Sequence, residues 1–302
     1  MVPARKRELN AFYSIDISGS TAYKDRNANF SSFDKHWVRF YESFFQDFPS
    51  AFLAAVDRVA EGSGRKIKSP QLWKLLGDEI LFYFEVMDFA DVVSVTKAFY
   101  EALTTYDREI RGKQGLRAKG TAWLAGFPIR NSNINVENTV DFIGPDMDIG
   151  FRLSSASRAG RLCVSMDLAD ILASAMPEDN LDLHHVGWAK LKGVFDGHPY
   201  PVFWVTTGQV GKSVPWEEHE CEFTARLLQP ASEIAPRDAI KLVKSIRDEL
   251  PRLRLFRPYL EQTGMPDFHR GIWTEWLEQQ KRNSDYETGG ADLGEETEAA
   301  PL

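Results

Sequence analysis

The sequence contains only two cysteines, Cys163 and Cys221, among 302 residues. Two distant thiols form neither a disulfide framework nor a zinc site, and Cys163 lies in an apolar segment where an inert core thiol is expected. No apolar run approaches the roughly 20 residues that a membrane helix requires, and no apolar segment follows the basic N-terminus as it does in a signal peptide. We therefore expect a cytoplasmic protein without membrane insertion.

Positive charge is scarce as well. The formal net charge is −8, whereas proteins that coat nucleic acids need a surplus of Lys and Arg to neutralise phosphates. We therefore expect no nucleic-acid partner, although a pocket for one phosphorylated ligand needs only a few local cations and metal ions. Hydrophobic residues make up 43% of the chain, which is enough for a sizeable core.

Helical and strand patterns alternate along the first two thirds of the chain. The hydrophobic period predicts, in order, a strand at 9–17, a helix at 30–55, a polar loop at 61–69, strands at 71–76 and 80–85, a helix at 88–111, a strand at 116–127, a helix at 144–157, a strand at 161–165, a helix at 166–174, and strands at 181–186 and 202–206. This order predicts an α+β fold of the ferredoxin-like kind, in which helices pack on an antiparallel sheet.

The pattern changes after about residue 212. Three helices are predicted at 237–250, 253–262 and 269–280, and prolines separate them. Residues 283–302 hold six acidic residues and no Lys or Arg, a composition typical of disorder. We predict a main domain at 1–212, a helical C-terminal extension at 213–282 and an acidic, disordered tail at 283–302.

Two aspartates stand where predicted strands end. Asp16 closes the first strand before the polar turn at 18–21, and Asp78 lies in the Gly-Asp turn between the strands of the predicted hairpin. Two carboxylates that meet at one edge of a sheet suit Mg²⁺ or Mn²⁺, which prefer oxygen ligands. Taken singly, each aspartate is equally well explained as a helix cap or a turn residue.

Three further charged residues follow in the second half of the main domain. Asp148 and Arg152 are four positions apart, so a helix places them on one face, where an isolated pair would be an ordinary surface ion pair. Lys192 lies in the segment Lys-Leu-Lys-Gly before the last strands, where an isolated lysine would belong to a solvated turn.

The order of these segments resembles the class III nucleotidyl cyclase domain, over roughly residues 9–207. The matching motifs are Asp-Ile-Ser-Gly-Ser-Thr from Asp16, Lys-Leu-Leu-Gly-Asp from Lys74, Asp-Phe-Ile-Gly from Asp141 with Arg152 downstream, and Lys-Gly at Lys192. The resemblance implies the class III cyclase fold. It also implies an enzyme that closes a 3′,5′-cyclic nucleotide from a nucleoside triphosphate and releases pyrophosphate.

The resemblance further implies a role for each matching residue. Asp16, Asp78 and the backbone carbonyl of Ile17 would bind two divalent cations, Mn²⁺ or Mg²⁺. Arg152 would stabilise charge on the α-phosphate, and Lys192 would hold the triphosphate. Because the family acts as head-to-tail homodimers, the metal carboxylates would come from one subunit and the arginine-bearing helix from the other.

Lys74 and Asp141 occupy the base-reading positions of the family. A lysine donor and an aspartate acceptor fit adenine, but cytosine offers the same acceptor and amine, and uracil offers an N–H to aspartate and a carbonyl to lysine. Because a pyrimidine has a single ring, large side chains would have to fill the rest of the base pocket. Trp73, Phe40 and Tyr41 are candidates for that bulk, and ordinary core packing is the alternative for each of them.

Asp148 stands where the family usually has Asn, and an ionised aspartate cannot donate to the ribose as Asn can. Asp148 would be protonated, accept from a ribose hydroxyl, or pair with a basic residue. This change and the segments 14–24 and 143–152 resemble the stand-alone Pycsar antiphage cyclases, which make cyclic UMP or cyclic CMP to activate a separate effector. We expect UTP as the substrate. The alternatives are an adenylyl cyclase, a cytidylate cyclase and a degenerate nucleotide-binding regulatory domain.

Overall fold

The computed structural model describes residues 7–27, 36–136, 139–175, 181–206, 232–233, 236–249 and 260, with parts of 271–282. Within these ranges the strands are β1 (Glu8–Ser18), β2 (Gln71–Leu76), β3 (Glu79–Glu85), β4 (Arg117–Phe127), β5 (Ser132–Val136), β6 (Thr139–Ile143), β7 (Leu162–Val164), β8 (Asp182–Ala189), β9 (Tyr200–Thr206) and β10 (Ser232–Glu233). The helices are α1 (Ser20–Arg26), α2 (His36–Ser63), α3 (Phe89–Gln114), α4 (Pro145–Leu153), α5 (Met166–Ala175) and α6 (Pro236–Glu249).

Eight of these strands form one mixed sheet in the order β10-β8-β9-β7-β4-β1-β3-β2, and β5 and β6 form a separate hairpin. The prediction of an α+β fold with helices packed on a sheet is confirmed. The sheet departs from a purely antiparallel one at a single pair, because β4 and β7 run parallel. The chain passes from β4 to β7 through the β5–β6 hairpin and α4, and parallel strands need such a long crossover connection.

The two faces of β1 have different environments because successive side chains point to opposite sides of a strand. Ala11, Tyr13, Ile15 and Ile17 belong to the main hydrophobic core, together with the aromatic stripe of α2. The Tyr13 ring, for example, lies 6.0 Å from the ring of Phe52. This packing fixes one face of β1. The side chains of Phe12 and Asp16 lie on the other face.

A smaller aromatic core covers the opposite face of the sheet. Phe12 stacks on Trp123 with the ring centroids 5.5 Å apart, and Phe142 of β6 packs against Phe12 at 5.1 Å. Helix α4 approaches so closely that a Cβ on Gly150 would lie 2.1 Å from the Trp123 ring. Glycine at this position therefore sets the distance of α4 from the sheet.

Several predicted boundaries were wrong. The sequence predicts a helix end at residue 55 and a loop from 61, but α2 continues to Ser63. Val56 is the last buried residue of α2, so the final turns carry little apolar signal by which the sequence could mark them as helix. The β5–β6 hairpin and the short α1 were not predicted at all, because neither segment has a clear apolar period.

The predicted helix at 253–262, apart from residue 260, and the predicted acidic tail at 283–302 lie outside the described residues, as does part of the helix predicted at 269–280. Where the structure describes the chain, no helix is both long and apolar enough to cross a membrane. Cys163 is buried, and burial raises the pKa of its thiol, as expected for an inert core cysteine.

Segments from the predicted C-terminal extension pack on the main sheet. β10 pairs with β8, and α6 lies against α5. Arg247 of α6 forms ion pairs with Asp167, at 2.7 Å, and with Asp170. Only 13% of the Arg247 side chain is exposed, and the Asp170 side chain is 7% exposed. Burial raises the pKa of Asp167, and the positive charge of Arg247 opposes that rise. Arg247 therefore compensates the negative charges of Asp167 and Asp170.

Replacement of Arg247 by alanine should therefore destabilise the protein by about 3 kcal/mol, because the buried Asp170 and the partly buried Asp167 lose their counter-ion. The matched control is Lys241→Ala on the exposed side of the same helix, whose pair with Asp238 is largely solvated. We expect that change to stay within about 0.5 kcal/mol. Urea unfolding curves of both variants measure the difference, and equal midpoints would contradict the docking role of Arg247.

Candidate active site

The structure places Asp16 and Asp78 at the same end of the sheet, one near the end of β1 and the other in the β2–β3 turn. The backbone N–H of Ile17 donates to the carbonyl of Asp78 at 3.3 Å, so the β2–β3 turn lies directly beside the end of β1. Burial raises the pKa of Tyr41 to about 12, and the negative charges of Asp78 and Asp16 add to the shift. Both carboxylates are therefore near enough to the hydroxyl of Tyr41 to act on it electrostatically.

Two neighbours of Asp16 were not predicted. Its cross-strand partners are Glu79 on β3 and Lys119 on β4. Lys119 Nζ lies 3.0 Å from Asp16 Oδ2. Burial raises the pKa of Glu79, whose carboxylate accepts a hydrogen bond from Ser14. The sequence contains Glu79 directly after Asp78, but Lys119 could only be found from the register of β1 with β4.

The donor atoms at this edge fit a hard divalent cation. The described residues include no group of three or more His, Cys, Asp and Glu side chains arranged around one metal position. The protein would therefore contribute the two carboxylates and a backbone oxygen. The side chain of Ile17 is 1% exposed in the core, so only its carbonyl could serve. Mg²⁺ commonly binds in this way, through one or two carboxylates, substrate phosphates and water.

The predicted base-reading residues meet although 67 positions separate them. Lys74 Nζ lies 2.6 Å from Asp141 Oδ1, and the same oxygen accepts from the backbone N–H of Phe142 at 2.8 Å. Lys74 also lies over the ring of Trp73, 4.7 Å from its centroid. Trp73 Nε1 donates to the carbonyl of Val140 at 3.0 Å, which ties β2 to β6. The pair is thus held at the junction of two strands.

Of the three aromatic residues considered as pocket bulk, only Trp73 adjoins this pair. Phe40 is 7% exposed and packs against Tyr23 and Phe44 in the main core, and Tyr41 belongs to the same core. The interpretation of Phe40 and Tyr41 as bulk around the base is therefore wrong. The aromatic stripe of α2 packs on the face of the sheet that carries Tyr13.

Asp148 and Arg152 lie on α4, and both side chains are exposed. They form no ion pair with each other, and none joins Arg152 to Asp16 or Asp78 within the described part of the chain. The ordinary surface pair that their spacing allowed is therefore not formed. Both side chains remain available to groups outside this chain.

The first turn of α4 is anchored by a buried polar network. Asn131, 2% exposed, accepts from the backbone N–H of Asp146 at 3.1 Å and donates to the Asp146 carboxylate at 2.7 Å. Arg130 adds an ion pair to Asp146 at 2.9 Å. Together with the contact between Gly150 and Trp123, this network fixes the helix that carries Asp148 and Arg152.

Lys192 is exposed in the turn between β8 and β9, next to Gly193, whose φ is +76°. Among the described residues it makes no hydrogen bond or ion pair with the other predicted site residues. Lys192 is predicted to contact the triphosphate, and an exposed side chain could reach such a ligand.

No protein-family model matches the chain, and no curated protein matches it. Solved structures similar to it include the adenylyl cyclase CyaB from P. aeruginosa, at 16% identity and a TM-score of 0.45, covering 70% of this chain and 97% of that chain. The guanylyl cyclase Cya2 aligns at 18% identity and a TM-score of 0.44, covering 68% of this chain and 95% of its own.

The guanylate cyclase domain of RhGC from Catenaria anguillulae, solved in complex with GTP, aligns at 15% identity and a TM-score of 0.44. That alignment covers 67% of this chain and 99% of the other. The similar solved structures named here are thus adenylyl or guanylyl cyclases. Identities this low do not assign a function, which has to be argued from the side chains.

Proposed function

We propose that this protein is a class III nucleotidyl cyclase that converts UTP to cyclic UMP and pyrophosphate. The observation that carries the proposal is the convergence of Asp16 and Asp78 at one sheet edge, beside the end of β1. The pairing of Lys74 with Asp141 supports it, because those residues were identified from separate motifs as the base-reading positions.

The reaction forms one bond between the ribose 3′-oxygen and the α-phosphorus and breaks the bond from that phosphorus to the pyrophosphate oxygen. Two divalent cations, Mn²⁺ or Mg²⁺, held by Asp16, Asp78 and the Ile17 carbonyl, would lower the pKa of the 3′-hydroxyl and neutralise the leaving group. Arg152 would stabilise the charge that develops on the α-phosphate, and Lys192 would hold the outer phosphates. Positioning and charge stabilisation of this kind dominate phosphoryl transfer.

Asp148 would act as a hydrogen-bond acceptor. It lies in the first turn of α4. Its carboxylate would accept from a ribose hydroxyl, in contrast to the Asn usual in the family, which can also donate.

The resemblance to the Pycsar cyclases favours UTP, and the groups around Lys74 and Asp141 are compatible with it. Uracil presents an N–H that Asp141 can accept and a carbonyl to which Lys74 can donate. Trp73 is stacked beneath the lysine and anchored to β6, so it occupies room next to the pair. That bulk favours the single ring of a pyrimidine over a purine.

The active site would be completed by a second copy of the chain in a head-to-tail homodimer. β2 is an edge strand of the sheet. Leu72, Leu75 and Leu76 on it are 51%, 46% and 44% exposed, and Ile143 after the base-reading aspartate is 48% exposed. Exposed apolar residues clustered around an edge strand are typical of an interface. The exposed Arg152 would then reach the α-phosphate of the nucleotide held by the metal carboxylates of the partner subunit.

We further propose that the cyclic nucleotide is a second messenger in bacterial antiphage defence of the Pycsar type. The support is the resemblance of segments 14–24 and 143–152 to those cyclases and the presence of Asp148 in place of Asn. The product would then act through a separate effector protein that binds it.

The test is incubation of the purified protein with ATP, GTP, CTP and UTP separately, in the presence of Mn²⁺, followed by mass identification of the products. We expect cyclic UMP as the main product. Cyclic CMP alone would keep the pyrimidine assignment and change the base, and cyclic AMP alone would identify an adenylyl cyclase. A protein that binds nucleotides but forms no product from any of the four would be a degenerate regulatory domain.

A further inference from the structure

A cavity of about 200 Å³ lies at the end of the sheet away from Asp16 and Asp78. It is bounded by the start of β1, the loop before β2, the end of β3 and the β5–β6 hairpin, and none of the predicted site residues lines it. Asn10 and Asp16 are on the same face of β1, six residues and therefore about 20 Å apart. Phe12, packed against Trp73, Trp123 and Phe142, fills the space between them.

An unpaired amide lines this cavity. Asn10 is 2% exposed, and its side-chain oxygen has no hydrogen-bond partner among the described residues. A buried acceptor without a donor costs about 1–3 kcal/mol of stability. Asn10 lines the cavity, so a hydrogen-bond donor that entered the cavity would satisfy this oxygen.

The charges around Asn10 define the kind of donor. Among the described residues that line the cavity, Glu8 and Glu85 are acidic and Lys68 is the one cation, so this part of the lining carries one excess negative charge. Lys68 is paired with Glu85. Glu85 and Glu8 both raise the pKa of Lys68, the hydrogen bond with Glu85 being the larger cause, which reflects the negative potential at this position.

Part of the wall is apolar. Val140 and Phe142 of β6 line the cavity, together with the polar Asn133 of β5. Such a wall suits a short hydrocarbon stem, while the acceptors suit a cationic head with several N–H donors. An anion would meet the excess negative charge, and a neutral polyol would leave that charge uncompensated.

We propose that this cavity is a binding site for a small alkyl ammonium or alkyl guanidinium compound, whose N–H groups donate to Asn10 and Glu8 and whose stem lies against Val140 and Phe142. Asp141 is located between these two β6 residues. An occupied cavity would therefore steady the strand that presents Asp141 to Lys74. This coupling rests on the proposed function, whereas binding itself does not.

The experiment is calorimetric titration of the full chain at low ionic strength with agmatine and putrescine. 1,4-Butanediol serves as the neutral control of the same length, and glutarate as the anionic control. We expect saturable binding of a cationic probe and none of butanediol or glutarate. Since the readout is heat of binding, a protein inactive as a cyclase would still give a result.

Three variants locate the site. Asn10→Leu, which keeps the branched shape of the side chain, and Glu8→Gln should each weaken binding at least about tenfold. The first change removes a hydrogen-bond acceptor, and the second removes the charge that strengthens one. Glu61→Gln, an exposed change of the same charge at the end of α2, should leave binding unchanged. If Asn10→Leu does not fold, Glu8→Gln carries the test. Absence of saturable binding, equal binding of butanediol, or unchanged binding by Glu8→Gln would overturn the proposal.

Discussion

Replacement of Asp16 or Asp78 by alanine is expected to reduce turnover by about a thousandfold or more, since each removes one of the two carboxylates that we propose hold the metal ions. The fold should survive. Asp16 lies at the mouth of β1 with its side chain 27% exposed, and the main core is built from the other face of that strand. Product formation from the preferred nucleotide, measured alongside circular dichroism and unfolding curves, checks both parts of this expectation.

The matched control is Asp25→Ala, which removes the same charge from an exposed position on α1, just after the polar turn. It should keep wild-type turnover. If the Asp16 and Asp78 variants are folded and remain active, the two carboxylates do not hold catalytic metal ions. The convergence of the two side chains would then have to be explained by their ion pair and turn contacts alone.

Mixing Asp16→Ala chains with Arg152→Ala chains should restore activity that neither variant has alone. In a two-fold symmetric head-to-tail dimer, each site takes its metal carboxylates from one subunit and its arginine from the other. One site of the mixed dimer then carries both defects and the other is whole. Random exchange at equal concentrations should give about a quarter of wild-type activity, because half of the dimers are mixed and each has one intact site.

Formation of mixed dimers has to be demonstrated independently, for example with two affinity tags purified in series. A second mixture, Asp16→Ala with Asp78→Ala, is the matched control. Both of those changes affect the same subunit's contribution, so every site in the mixed dimer lacks one metal ligand and no rescue is expected. Absence of rescue in confirmed Asp16→Ala/Arg152→Ala dimers would count against the shared-site arrangement.

Local chemistry made part of the site predictable. Asp16 follows a continuous apolar strand, and Asp78 lies in a Gly-Asp turn between two apolar runs, so both positions could be placed at strand ends from periodicity alone. The Lys74–Asp141 pair was identified by motif resemblance and not by physical reasoning. No local pattern relates two residues 67 positions apart.

Other features depend on register or on packing. Lys119 opposes Asp16 only because β1 and β4 pair with one particular register, and a shift by one residue would turn its side chain to the other face. Trp73 and Phe40 look alike in the sequence as aromatic residues near a motif. The structure separates them, because one packs beside the base-reading pair and the other in the core beneath α2.

Side-chain period and turn chemistry over a few residues were enough to predict the α+β class, most of the alternating strands and helices, and the charged residues at strand ends. The parallel β4–β7 pair, the docking of α6 through Arg247 and the cavity at Asn10 could be found only in the folded chain. Each of these depends on which distant segments become neighbours, and that is set by how the whole chain buries its apolar surface.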